Sequence, residues 1–189
     1  MTELKTVANP IESAGDVKRF LSNLFYGWGY NFYRKENQLR ADDLLVRAKV
    51  SEMLAAVRAH LAGLERDWRL AHLPAPTREH PFADASAVSS AQGMDRAQQR
   101  IEALELRVRT AAVPEMDRIN QRHRNEGQTL AQLVDVDGDL VLAAHGIREG
   151  ALAQTDAAAL AQALPGLLAG SGIETVLARR EQVLSVLAE

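Results

Sequence analysis

From Asn31 to about Ala71 the apolar positions fall into a helical rhythm. Val46, Val50, Met53, Val57, Leu61, Leu64 and Trp68 recur at steps of three and four, and Leu39 extends the series upstream. That spacing predicts one long amphipathic helix with its stripe turned to a neighbour. Arg40, Asp43, Arg47, Arg58 and Glu65 are assigned to its solvated face. Glycine interrupts the run once, at Gly63, and proline not until Pro74.

The pattern then breaks. Leu73 to Gly93 holds Pro74, Pro76, Pro81 and a serine cluster, and reads as a linker, because each proline biases its predecessor away from helix. Ser90 is the expected N-cap of the next element. Met94, Ala97, Ile101, Leu104, Val108 and Ala111 form a second stripe ending near Val113, and Pro114 kinks or restarts the helix. Met116 and Ile119 carry the pattern to about His123, with Gly127 the expected C-terminal cap. The two stripes suit an antiparallel pair, although the linker is longer than a helical hairpin needs.

Leu130 to His145 changes character. Leu133, Val134 and Val136 precede Asp137-Gly138, and Leu140, Val141 and Leu142 follow. Asp-Gly between apolar runs is the sequence of a type I′ turn, so a two-stranded β-hairpin is expected here. The tail returns to helix. Thr155 is the expected cap of a segment that Pro165 interrupts, Gly166 to Gly172 reads as a break, and Ser171 with Glu174 forms a capping box. Ile173, Val176, Leu177, Val183, Leu184 and Leu187 give the last helix its apolar face. The expected fold is therefore mainly α: a helical bundle-like domain with long amphipathic helices and a small hairpin. Residues 1–72, 73–93 and 94–189 divide it into an aromatic-rich helical part, a linker and a second helical part, together one compact domain.

Composition narrows the function. With 47% hydrophobic and 25% charged residues among 189, the chain is built like an ordinary globular domain. The net charge of −3 gives no basic footprint for nucleic acid. The absence of cysteine rules out disulfides, thiolate nucleophiles and cysteine-ligated zinc, and suits a reducing compartment. The N-terminal twenty residues have no continuous apolar core, and no run approaches the roughly 18 apolar residues of a membrane span. A cytoplasmic location is the expectation.

One segment stands apart. Seven of the nine aromatic residues lie between Phe20 and Tyr33, threaded by Gly27 and Gly29. A helix from about Ser13 to Tyr26, irregular at the glycines and continuing into the long helix, is the favoured arrangement. As helix, Leu21, Phe25, Trp28 and Phe32 share a stripe, with the three tyrosines beside it. As strand, Tyr26, Trp28, Tyr30 and Phe32 share a face. Such rings serve as core, as a rigid protein-contact surface, as the lining of a pocket for a flat ligand, or, least in keeping with the charge, as a base-stacking platform.

The search for chemistry returns little. Asp135, Asp137 and Asp139 start like a calcium loop, but Leu140 and Gly146 stand where the loop needs glycine and a bidentate glutamate. His72 and His80 flank a proline-rich stretch with Glu79, a weak metal pattern. His60 reads as a boundary histidine, and no histidine follows a glutamate by three. Nucleophile-elbow, phosphate-loop and dinucleotide signatures are missing. These readings favour a non-catalytic interaction protein (an adaptor, accessory factor or assembly chaperone) over an enzyme. The expected contact residues are Tyr26, Trp28, Tyr30, Tyr33, Arg34 and Lys35, facing a protein partner, with homo-oligomerisation left open. The alternative is a small-molecule or cofactor binder whose pocket those same rings line, its ligand unspecified.

Overall fold

The computed structural model describes residues 35–78, 81–112 and 126–185. Side chains are described for residues 42–78, 81–112, 129 and 132–185. Within them the chain forms five helices: α1 (Lys35–His72), α2 (Ala85–Arg109), α3 (Glu126–Leu152), α4 (Ala157–Ser171) and α5 (Ile173–Ser185). The mainly α expectation holds.

Helix α1 is the organising element, packing on α2, α3 and α4. Of its predicted stripe Val46, Val50, Val57 and Leu61 are fully buried, joined by Leu54, while Leu64 and Trp68 are partly buried. Charged side chains along one flank fix α2 antiparallel to it. Arg69 meets Asp95, Arg58 meets Glu102, the Ser51 hydroxyl donates to Glu105 at 2.8 Å, and Arg47 reaches the Arg109 carbonyl. Across this flank Ile101, Leu104 and Val108 of α2 join the core.

Helix α3 lies on the other flank, parallel to α1. Asp43 and Asp137 both meet Arg180 at one end, and His60 meets the Gln154 carbonyl at 2.8 Å at the other. Two parallel neighbours need a long return, which α2 supplies. Helix α4 packs on α1, α2 and α3, and α5 runs against α3 and α4.

Several local expectations are corrected. Helix α2 takes in the last nine residues of the expected linker: Asp84 is its N-cap, accepting from the Ser86 amide at 2.6 Å. Ser90 lies within the helix and bonds back to the Ser86 carbonyl. A carboxylate is as good a cap as a hydroxyl, and the alanine-rich start tolerates helix.

The hairpin expected around Asp137-Gly138 is not seen; that stretch lies inside α3. Leu133, Val136, Asp137, Leu140, Val141, Ala144, Ile147 and Ala151 repeat at three and four, and all are buried. This helical period overrides the turn preference of two residues. Gly127 opens α3 rather than closing a helix. Likewise α4 runs through Pro165 unbroken. Its cap is Asp156, which accepts from the Ala159 amide at 2.7 Å, not Thr155. Gly172, at φ 68°, closes α4 in the left-handed conformation that glycine takes without penalty. Ser171 does receive the Ile173 amide, at 3.3 Å, while Glu174 turns to Arg107 instead of completing the capping box.

Candidate functional site

The contact residues expected from sequence, Tyr26, Trp28, Tyr30, Tyr33 and Arg34, lie outside the described residues. Lys35 is the first residue of α1, its side chain outside them. Leu44 and Leu45 follow in the same helix, 52% and 58% exposed. These two large apolar side chains are left half-bare on the surface of α1.

The least ordinary feature lies inside. Asp43 and Arg47 of α1, Asp137 of α3 and Arg180 of α5 are all buried, none more than 4% exposed. Each occupies a position in its helix's apolar stripe: Asp43 and Arg47 alternate with Val46 and Val50, Asp137 lies between Leu133 and Val141, and Arg180 follows Ile173 and Leu177. Packing the stripes together therefore brings the four charges together. The expectation that Asp43, Arg47 and Glu65 face solvent is overturned for this reason, since steps of three and four link them to the buried valines and leucines.

The geometry is that of a clasp. Asp43 accepts from Arg47 Nε at 3.1 Å on one oxygen and from Arg180 Nη2 at 2.5 Å on the other. Arg47 Nη1 also donates to the carbonyls of Arg109 and Ala111, at 3.1 and 3.0 Å. Arg180 Nη1 donates to the Ala112 carbonyl at 2.9 Å. Two guanidinium groups thus satisfy carbonyls around the end of α2, which a helix terminus leaves without partners. The cluster ties four helices together at one point.

Asp137 completes it less tightly. Its Oδ1 lies 3.7 Å from Arg180 Nε, too far for a hydrogen bond, and neither atom has another partner. Arg47 Nη2 is also buried without one. Burial pushes the Asp137 carboxyl up to about 8, and the Asp43 charge adds to the effect, against the opposing pull of Arg180 and Arg47. Asp42, the sequence neighbour of Asp43, is raised too, by burial alone.

A second feature is a groove of about 560 Å³ between α3, α4 and α5, lined by Asp139, Leu142, Gly146, Gly166, Gly170 and Val176 among others. Leu142 is half-exposed there. A β-carbon added at Gly146, Gly166 or Gly170 would meet nothing within 4 Å, so packing within the chain does not demand glycine at these places. Asp139, the polar residue at its edge, pairs with Arg179 at 2.8 Å.

Two of the histidines are in structural use. His60 donates to the Gln154 carbonyl, and His72 stacks on Trp68 with ring centroids 4.5 Å apart. His80 and His123 lie outside the described residues. Asp135, Asp137 and Asp139 stand on a helix, so the loop that would wrap calcium is not formed. Among the described residues no three histidine, aspartate or glutamate side chains come together as a metal-binding group. Among them also, no single helix is long and apolar enough to cross a membrane. The buried cluster was missed from sequence, yet a signal for it existed: charged residues at stripe positions on three helices, of balancing sign.

The sequence matches no family model, no curated protein and no solved structure.

Proposed function

We propose that this chain is a non-catalytic helical interaction protein, an adaptor, accessory factor or assembly chaperone of the cytoplasm. Its contact surface is the aromatic and basic segment Tyr26, Trp28, Tyr30, Tyr33, Arg34 and Lys35, extended by Leu44 and Leu45. The observation that carries this reading is the exposed leucine pair on α1. Large apolar side chains left in solvent are what a protein-contact surface offers, and the aromatic run precedes them in the sequence. Arg34, Lys35 and Arg40 alongside favour a partner whose apolar face is rimmed by carboxylates. The ionic groups described above support the same reading, because they are spent on holding helices together.

The test is a pair of variants measured for stability and for partner capture. Trp28→Ala and Leu45→Ala should leave the denaturation midpoint nearly unchanged and abolish binding of a partner recovered with the wild type. A loss of about 3–5 kcal/mol in Trp28→Ala, the scale of an emptied aromatic core site, would instead make that ring part of the interior.

The glycine-lined groove favours a second reading, the small-molecule binder. Its volume of about 560 Å³ is that of a ligand site, and its walls are mostly apolar. It is not the aromatic-lined pocket expected from sequence. A thermal-shift screen separates the two readings, since a tight ligand raises the midpoint and a protein-contact surface leaves it unmoved.

A further inference from the structure

Helix α5 is held to the bundle by its buried Ile173 and Leu177, by surface ion pairs of Glu174, Glu181 and Arg179, and by the buried polar contacts of Arg180. This one side chain grips Asp43 of α1, the Ala112 carbonyl beyond α2, and faces Asp137 of α3. Helix α5 also supplies Val176 to the groove wall. Whatever alters the grip on Arg180 alters how firmly that wall is closed.

We propose that the Asp43–Arg47–Asp137–Arg180 cluster is a proton-linked clasp: Asp137 holds a proton while α5 is docked and releases it when α5 lifts away.

The geometry supports this directly. With all four groups charged the cluster is neutral, but Asp43 already serves both guanidinium groups and Asp137 is left without a hydrogen bond on Oδ1. An ionised, poorly paired carboxylate inside a core is the more expensive of its two forms. From α1 the facing groups are Asp43 and Arg47, with Asp42 next to Asp43 in the chain. From α5 the facing group is Arg180; Arg179 is occupied by Asp139 at the surface. From α2 the neighbours are carbonyls, with Arg107 turned out to Glu174 and Glu181. Helix α4 carries no ionisable side chain at all. On α3 itself Asp135 is exposed. Docked, Asp137 keeps its proton to about pH 8. Lifted into water, it returns to the ordinary carboxylate range near 4. Opening between those values releases one proton, so the open population rises about tenfold per pH unit.

Two measurements on the full chain test this. Hydrogen exchange of the amides from Leu177 to Ser185, corrected for the intrinsic pH dependence of exchange, should lose protection about tenfold per unit from pH 5 to pH 7.5. In Asp137→Asn, which cannot ionise, the corrected protection should be flat. A flat wild-type profile, or the same slope kept in the variant, overturns the proposal. Should the variant fail to fold, carboxyl carbon NMR on the wild-type protein decides: an Asp137 midpoint near 8 supports the clasp, and one near 4 sinks it.

Discussion

Gly146 and Gly150 lie one turn apart on α3 and should answer alanine differently. At Gly146 the added methyl meets open space, so the helix should gain about 1 kcal/mol from the better helix former. At Gly150 it would come within 2.7 Å of Leu167 Cδ2, so that side chain must shift and the gain is reduced. Urea denaturation of the two variants should rank Gly146→Ala above Gly150→Ala. Neither outcome is legible in sequence, where the two glycines look alike. The buried charges are a different case. Asp43, Arg47, Asp137 and Arg180 stand in register with apolar residues, so their burial is readable from spacing alone. What spacing does not reveal is that the three helices meet at the same height, which depends on the parallel run of α1 and α3.

At the level of elements, long periodic stripes were legible and boundaries were not. Most of the buried apolar positions of α1 and α2 are legible from their period, because sustained repetition leaves one face to bury, while Leu54, Ala91 and the buried charges Asp43 and Arg47 fall outside the predicted stripes. Local signals fared worse against tertiary packing. Asp-Gly inside α3 and Pro165 inside α4 both argue for a break, and both lie in helix. Pro165 lies on the exposed side of α4, and the helix continues past it although the ring removes one backbone donor. The cap of α4 offers a direct check. Asp156→Ala frees the Ala159 amide and should cost about 1 kcal/mol, while Thr155→Ala should change little, as thermal melts of the two would show.

Across the whole molecule, the helical class followed from the period of the apolar positions, whereas the aromatic segment Phe20 to Tyr33, on which the proposed function draws, lies outside the described residues. The bundle also carries a stability that depends on pH in an uncommon direction. A carboxyl whose folded value is raised binds its proton more tightly in the folded state. Its contribution is therefore complete below about pH 4 and is lost as the pH climbs toward 8, opposite in sign to that of an ordinary salt-bridged aspartate.

The charged seam between α1 and α2 has a consequence for a severed chain. Arg78 lies in the exposed connection between these helices, where trypsin can cut without entering the core. The two pieces would remain joined through Arg69–Asp95, Arg58–Glu102 and the apolar contacts beneath them. Cleaved protein should therefore migrate as one species on a native gel and as two under denaturing conditions. Separately expressed halves, divided at that arginine, should reassemble on mixing and regain the helical signal of the uncut chain.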